Sequence, residues 1–269
     1  MSHPYALAII GGGRMGEAIA AGLISSQALE AFRIVVAEPS AARREVFERQ
    51  GIAAVADGHE IAGQAEVVLM AVKPQVFDAV LVHVADELSD DAIVVSIAAG
   101  ISTARVESHL RAGIAVVRVM PNTPAMVGAG MAVVSGGSAA SDEQVERVRS
   151  LFEAVGSALV VDERYQDAAT AISGSGPAYV ALVIDALARA GVAQGLTRDV
   201  AQALAVATVS GTAELLAATG MHPEELVDAV ASPGGTTIAA VGALEAGGLR
   251  STIAEAVAAA VRRAKELGA

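Results

Sequence analysis

The sequence contains no cysteine and no tryptophan, and aromatic residues make up only 3% of its 269 residues. The absence of cysteine excludes disulfides, thiolate metal sites and a cysteine nucleophile, which fits a reducing compartment. Because 54% of the residues are hydrophobic, the core must be built mainly from Ala, Val, Leu and Ile. Such small side chains favour close packing of helices.

Basic residues are also scarce, since 18 Lys and Arg stand against 30 Asp and Glu and give a formal net charge of −12. This balance argues against nucleic acid, whose phosphates require Lys and Arg. Gly, Pro or charged residues interrupt the apolar runs before about 18–20 residues, so we expect no membrane span. The N-terminus lacks a signal-peptide pattern, and we expect a cytoplasmic protein without a metal site. A mean hydropathy of +0.53 is high for a soluble monomer and favours extensive burial between subunits over a mere Ala-rich composition.

The first 160 residues alternate short apolar runs with helical patterns. The apolar runs cover residues 6–10, 34–37, 67–72, 93–97, 116–120 and 131–134. The helical patterns cover residues 15–25, 41–50, 76–88 and 141–155. This alternation predicts an α/β fold with a mostly parallel sheet covered on both faces.

The pattern changes near Asp162, beyond which the sequence predicts no strand. Ala-rich helical stretches follow at residues 166–172, 177–194, 198–218, 223–231, 237–245 and 251–267. We therefore predict an α/β domain over residues 1–162 and an all-helical domain over residues 163–269.

A glycine-rich turn predicts dinucleotide binding by the first domain. Gly11, Gly13 and Gly16 have the G-x-G-x-x-G spacing between a predicted strand and a predicted helix. In dinucleotide-binding folds the first glycine permits the turn, the second lets the pyrophosphate approach, and the third lets helix and strand pack closely.

The end of the second predicted strand bears on the choice of coenzyme. Glu38 lies about 20 residues beyond the glycine turn, where an acid commonly binds the adenosine ribose hydroxyls. A carboxylate there would repel a 2′-phosphate, which favours NADH. Ser40, Arg43 and Arg44 follow closely and could instead receive that phosphate. The choice between NADH and NADPH therefore stays open, with Glu38 favouring NADH.

Two further motifs follow predicted strands, where open parallel sheets bind ligands. The first is the turn Ala71-Val72-Lys73-Pro74, whose lysine is one of only two in the chain. Lys73 either contacts the ligand or is an ordinary surface residue. The second is the loop of residues 118–124, in which two prolines bracket Asn122 and Thr123. This loop either presents its polar groups to a nicotinamide or forms an ordinary rigid turn.

A late glycine turn, Ser-Pro-Gly-Gly-Thr-Thr at residues 232–237, precedes a predicted helix. Free backbone N–H groups at a helix start bind anions such as carboxylates. The glycines allow a ligand to approach the main chain, and the threonine hydroxyls can donate hydrogen bonds. The sequence thus predicts a site for a small acidic substrate here.

Taken together, these motifs resemble the pyrroline-5-carboxylate reductase family. The likeness rests on the glycine turn of residues 11–16, the Ala-Val-Lys-Pro turn, the Met-Pro-Asn-Thr-Pro loop, the Ser-Gly-Ser-Gly-Pro-Ala-Tyr stretch of residues 173–179 and, above all, residues 232–237. They occur in the family's order over nearly the whole chain.

The resemblance implies an N-terminal Rossmann domain and a C-terminal helical domain for dimerisation and substrate binding. It also implies an active site at a homodimer interface, and often a ring of five dimers. The implied reaction is the NAD(P)H-dependent reduction of the cyclic imine 1-pyrroline-5-carboxylate to L-proline, the last step of proline biosynthesis.

The resemblance also implies roles for individual residues. Thr237 is the candidate catalytic residue, with its hydroxyl directed at the imine nitrogen. Ser232, Gly234, Gly235 and Thr236 are expected to bind the substrate carboxylate. The residues expected to bind the coenzyme are Gly11, Gly12, Gly13, Arg14, Met15, Gly16, Glu38, Ser40, Ala71, Val72, Lys73, Pro74 and Asn122. Many relatives have a small polar residue in place of Glu38 and an asparagine near Gly58, so an NADPH preference does not carry over directly.

Three other functions compete with this interpretation. A related imine reductase would act on another cyclic imine with the same motifs. A β-hydroxyacid dehydrogenase would need a lysine base on a helix of the second half, where Lys265 is the only lysine. A non-catalytic NAD(P)-sensing protein would keep the first glycine turn but would have no use for residues 232–237.

Overall fold

The computed structural model describes residues 3–268, with side chains described up to residue 266. Contacts divide the chain into two compact units. The first comprises Met1–Ser175 and Ala260–Ala269, and the second comprises Gly176–Ala259. The domain boundary after residue 162 stays a prediction.

The first unit contains, within the described residues, one sheet of eight strands. The strands are β1 (Tyr5–Ile10), β2 (Ile34–Ala37), β3 (Ala53–Val55), β4 (Ala65–Met70), β5 (Ile93–Ser96), β6 (Ala115–Pro121), β7 (Gly130–Gly136) and β8 (Gly156–Val160). Their order is β3-β2-β1-β4-β5-β6-β7-β8, and β6 and β7 are the antiparallel pair of this described sheet. β1 and β4 are parallel neighbours, and the order in which successive strands are added to the sheet reverses between them. Doubly wound folds bind their ligands at such a point.

Helices cover both faces of this sheet. They are α1 (Arg14–Ser25), α2 (Ala41–Glu48), α3 (Phe77–Ala85), α4 (Thr103–Glu107), α5 (Asp142–Glu153) and α6 (Gln166–Ala169). Because successive side chains of a strand point to opposite faces, Leu7 and Ile9 of β1 belong to the core shared with α1 and α5. Ala8 and Ile10 belong to the core on the other face, shared with α3.

The predicted fold class is confirmed: a Rossmann-type sheet domain precedes a helical domain. The sequence did not reveal β3 and β8. Both strands are short and largely accessible to solvent. Such strands lack the continuous apolar run that marks a strand buried on both faces.

The second unit is built from helices alone in its described residues. They are α7 (Gly176–Ala193), α8 (Arg198–Thr219), α9 (Pro223–Val230), α10 (Thr236–Ala246) and the greater part of α11 (Leu249–Gly268). Its buried cluster consists of Ala188, Ala201 and Ala205, whereas large apolar side chains such as Leu182 are 70% exposed.

Two helical stretches of the chain are long and apolar enough to cross a membrane by length and composition, Glu163–Ala193 and Arg198–Thr219. Only 11% of each apolar window is buried in the single chain. The expectation that no segment spans a membrane stays a prediction.

Candidate active site

The glycine turn of residues 11–16 lies where the ends of β1, β2 and β4 meet. The Gly11 N–H donates to the Ala37 carbonyl at the end of β2, at 2.8 Å. The Ala71 N–H, just beyond β4, donates to the Ile10 carbonyl at 2.8 Å. The structure thus brings together three of the predicted coenzyme segments: the glycine turn, the start of the β2–α2 loop and the Ala71–Pro74 turn.

The shape of this turn requires glycine at position 11 and leaves position 13 open. Gly11 has φ +108°, and a Cβ there would lie 2.8 Å from the Ala71 carbonyl oxygen. A Cβ on Gly16 would lie 2.7 Å from the Gly11 carbonyl oxygen. A Cβ on Gly13, the N-cap of α1, would meet nothing within 4 Å. Within residues 3–268, the N–H groups of residues 13–16 have no protein acceptor. A diphosphate fits this open helix start.

Glu38 faces the glycine turn, but its carboxylate already accepts two backbone hydrogen bonds. The Gly12 N–H donates to Oε2 and the Ser40 N–H donates to Oε1, both at 2.9 Å. The Gly12 amide is therefore engaged within the protein. A carboxylate has about four lone-pair sites, so Glu38 retains capacity for ribose hydroxyls.

The two neighbouring arginines are also hydrogen-bonded to the main chain. Arg44 donates from Nη1 to the carbonyls of Glu38 and Pro39, each at 2.8 Å. Arg43 donates from Nε and Nη2 to the Gly12 carbonyl, at 2.9 and 2.6 Å. Both guanidinium groups thus support the loops around Glu38.

The other predicted coenzyme residues differ in what they leave available. Lys73 is exposed, and it is the N-cap residue of the short 3-10 helix Pro74–Val76. Both polar atoms of the Asn122 side chain have protein partners. Its Nδ2 donates to the Ser173 carbonyl at 3.0 Å, and its Oδ1 accepts from the Met131 N–H at 2.8 Å. Arg14 is exposed, and Met15 is half-buried.

Sequence reasoning missed a polar cluster that joins the middle of β6 to the start of α4 and the segment after β8. Arg118 is only 7% exposed and lies 3.3 Å from Glu163 and 3.4 Å from Asp167. Glu163 also accepts from the N–H and the hydroxyl of Thr103. A lone cation inside an apolar strand was the available signal, since a buried charge requires partners.

This cluster borders a cavity of about 290 Å³ within the first unit. The cavity is lined by residues from the loop after β5, from β6, from the segment before α7 and from the end of α11. They are Ala99, Gly100, Arg118, Met120, Asp167, Thr170, Ala171, Gly174, Ser175, Ala260, Arg263 and Ala264. No group of three or more His, Asp and Glu side chains suited to a metal ion occurs in the described residues.

The late glycine turn forms a type II turn that leads into α10. The Gly235 N–H donates to the Ser232 carbonyl at 3.0 Å, and Gly234, with φ +68°, occupies the third position that favours glycine. The Gly235 amide therefore closes the turn within the chain, and the expectation that this residue binds the substrate carboxylate stays a prediction. In the described chain the N–H groups of Thr236, Thr237 and Ile238 have no protein acceptor.

Side chains around this turn remain accessible. The Ser232 hydroxyl lies against Gly235, where a built Cβ would overlap it. Thr236 is exposed and Thr237 is half-buried. Arg250 pairs with Glu245 at 2.6 Å and with Glu224 at 2.7 Å, which links the helices that flank the turn. These hydrogen bonds, the one with Glu245 first, raise the pKa of the Arg250 guanidinium.

Comparison with known proteins agrees with this geometry. Residues 163–267 match the family model "Pyrroline-5-carboxylate reductase dimerisation", and residues 6–100 match "NADP oxidoreductase coenzyme F420-dependent". The pyrroline-5-carboxylate reductase of Synechocystis is 48% identical over 97% of this chain and 98% of its own length.

Solved structures agree as well. The pyrroline-5-carboxylate reductase of Coxiella burnetii superposes with a TM-score of 0.94, at 36% identity over 99% of both chains. That of Plasmodium falciparum, solved with NADP bound, gives a TM-score of 0.88 at 29% identity over 100% of both chains. The resemblance found in the motifs is therefore confirmed, and the chain belongs to the pyrroline-5-carboxylate reductase family.

Proposed function

We propose that this protein reduces 1-pyrroline-5-carboxylate to L-proline with a reduced nicotinamide coenzyme. The observation that carries the proposal is the turn of residues 232–237, whose helix start offers free N–H groups beside two hydroxyls. An acidic imine needs both an anion site and a hydrogen-bond donor near its nitrogen. The sequence identity to named reductases over the full chain supports the same reaction.

The substrate carboxylate binds at the start of α10. The N–H groups of Thr236 and Thr237 are its donors, together with the Ser232 hydroxyl, while Gly234, with φ +68°, gives the turn its shape. Gly235 contributes the turn itself. The helix dipole adds about 0.3–1 kcal/mol to the binding of the anion.

Thr237 is the residue that acts on the imine nitrogen. An imine accepts hydride well only when its nitrogen is protonated or hydrogen-bonded, so a donor must lie about 2.6–3.2 Å away. Because a threonine hydroxyl is a weak acid, Thr237 orients the proton of the iminium or relays one from water. Most of the acceleration then comes from orientation of the reactants in a water-poor site.

The coenzyme site is formed by the glycine turn and its neighbours. The free N–H groups of residues 13–16 bind the diphosphate, and Arg14 adds a positive charge nearby. Ala71, Val72, Lys73 and Pro74 border the turn, while Asn122 holds the loop after β6. When bound, the reduced nicotinamide supplies the hydride.

Glu38 directs the coenzyme preference toward NADH. Its carboxylate lies at the glycine turn, where it can accept the ribose hydroxyls and repels a 2′-phosphate. Arg43 and Arg44 already donate to main-chain carbonyls, which uses Nε and Nη2 of Arg43 and Nη1 of Arg44 within the protein.

The functional unit is a homodimer in the cytoplasm, which assembles further into a ring of five dimers. The dimerisation match covers the helices of the second unit, whose buried cluster of three alanines is too small to stabilise them alone. An apolar groove of about 660 Å³ between α8 and α9, lined in part by Leu215, Leu226 and Val230, is available to a partner subunit.

The test is to mix the purified protein with 1-pyrroline-5-carboxylate and reduced coenzyme and to follow absorbance at the reduced nicotinamide band. We expect oxidation of the coenzyme with formation of proline, faster with NADH than with NADPH. A panel of six-membered and uncarboxylated cyclic imines separates this activity from that of a related imine reductase. Coenzyme binding without turnover of any imine would indicate the non-catalytic alternative and contradict the proposal.

A further inference from the structure

Arg43 holds the peptide group between Gly12 and Gly13 in the glycine turn of residues 11–16. The Arg43 guanidinium donates to the Gly12 carbonyl from both Nε, at 2.9 Å, and Nη2, at 2.6 Å. A second hydrogen bond from Nη2 reaches Glu17 of α1 at 2.8 Å. The guanidinium carbon also lies 5.9 Å from the centre of the Phe47 ring. Two acceptors and one ring face therefore fix this side chain.

Holding the Gly12 carbonyl also orients the next amide. The C=O of one residue and the N–H of the next belong to one planar unit, and in a trans peptide they point in opposite directions. No cis peptide occurs in the described chain. With the Gly12 carbonyl directed at Arg43, the Gly13 N–H must point away from it. That N–H has no acceptor within residues 3–268 and belongs to the helix start that fits a diphosphate.

The other side of Gly12 is fixed as well. Its N–H donates to Glu38 at 2.9 Å, and a Cβ on Gly12 would lie 2.8 Å from the Phe47 ring. The N–H, the carbonyl and the Cα of Gly12 are thus all in contact with other protein groups. These contacts hold the loop in the conformation that offers the Gly13 amide, and a restrained loop lowers the entropic cost of binding.

We propose that Arg43 is a positioning residue of the coenzyme site: it acts through the Gly12 carbonyl on the diphosphate-binding amides and does not bind a 2′-phosphate. The inference rests on the proposed function only in taking a nicotinamide dinucleotide as the ligand. It distinguishes Arg43 from an arginine that receives a 2′-phosphate, because the Nε and Nη2 donors of Arg43 are already used by Gly12 and Glu17.

The experiment measures dissociation constants of NADH and NADPH by calorimetry for the wild type, Arg43→Ala, Arg43→Lys and the control Arg49→Ala. Arg49 lies just after α2, is 74% exposed in its side chain and pairs only with Glu45 in the described structure. We expect Arg43→Ala to weaken both coenzymes by the same factor, about tenfold, which corresponds to one lost charge-assisted hydrogen bond. Arg49→Ala should bind both coenzymes like the wild type.

Arg43→Lys keeps the charge but cannot donate in a fork, so it should weaken both coenzymes in the same proportion, by a smaller factor. The Arg43→Lys variant also tests the positioning role if Arg43→Ala does not fold. Loss confined to NADPH would identify Arg43 as a phosphate ligand and overturn the inference. A lowered melting temperature with unchanged affinities would reduce Arg43 to a structural role and overturn it too. A wild type that binds coenzyme but reduces no imine would contradict the proposed function and leave this inference intact.

Discussion

The two glycine turns of this chain differ in how they are supported. In the turn of residues 11–16, Gly12 is hydrogen-bonded at its N–H to Glu38 and at its carbonyl to Arg43. The turn of residues 232–237 is closed by one hydrogen bond, from the Gly235 N–H to the Ser232 carbonyl, and is largely exposed. The first turn is therefore organised by side chains of its own unit, whereas the second is closed by its own backbone in the described chain, and we propose that the partner subunit of the dimer encloses it.

The largest expected effect comes from removing the partner subunit. Leu182 of α7 is 70% exposed in the single chain, so Leu182→Glu should place a charge in the dimer interface and yield monomers. We expect imine reduction to fall by more than 100-fold, because the late turn loses its enclosure, while NADH affinity stays within about twofold. Light scattering measures the oligomeric state, coenzyme oxidation measures imine reduction, and calorimetry measures NADH affinity.

The matched control for this change is Val82→Glu on α3 of the first unit, where the valine is 56% exposed. It should remain a dimer and keep its activity. A monomeric Leu182→Glu protein with full turnover would contradict the dependence of the late turn on a partner.

Thr237→Ala tests the chemistry of the late turn. Turnover should fall about 10- to 100-fold, at or below the lower range for one proton-positioning group, because the hydroxyl near the imine nitrogen is lost. NADH affinity should not change. Thr237→Ser keeps the hydroxyl and should keep most of the activity in steady-state assays, and unchanged turnover in Thr237→Ala would remove this residue from the mechanism.

Glu38 tests the first turn. Glu38→Gln removes the negative charge but keeps an acceptor for the Gly12 N–H, whereas Glu38→Ser removes both. We expect the ratio of kcat/KM for NADH over NADPH to fall about tenfold in both variants, since repulsion of the 2′-phosphate is lost. Glu38→Ser should also weaken NADH binding through the loop, and more than Glu38→Gln, which keeps one of the two acceptor oxygens used by the Gly12 and Ser40 N–H groups. A wild type that strongly prefers NADPH would contradict the role given to this carboxylate.

The stability of the two turns gives the next smaller effect. Gly11→Ala combines φ +108° with a Cβ 2.8 Å from a backbone oxygen, so it should cost more than the about 1–2 kcal/mol of left-handed strain alone. Gly113→Ala is the control, because it has φ +92° and no atom within 4 Å of the added Cβ. Urea unfolding of both variants measures the difference, and equal losses would show that the first turn is not tightly confined.

Gly234→Ala should have the smallest effect. Gly234 has φ +68° and nothing within 4 Å of a built Cβ, so the substitution should cost about 1 kcal/mol of unfolding free energy. Turnover should change less than threefold, because the Thr236 and Thr237 amides stay in place. A loss as large as that of Gly11→Ala would mean that this turn is as confined as the first.

Local patterns sufficed to predict six of the eight described strands, the first glycine turn and the helical second half. The apolar run of β1 and the glycine spacing after it are readable because the residues that cooperate are adjacent. Contacts between distant residues were not readable. Arg43 meets Gly12 across 31 positions, and Arg118 meets Glu163 across 45. The engagement of Asn122 by the Ser173 carbonyl is of the same kind.

A crystal structure of the dimer with NAD⁺ and L-proline would show whether the amides at the start of α10 hold the carboxylate of a cyclic imino acid. We predict the proline carboxylate within hydrogen-bond distance of the Thr236 and Thr237 N–H groups, with the ring nitrogen facing the Thr237 hydroxyl. Proline bound elsewhere, with those amides paired to protein acceptors, would contradict the account.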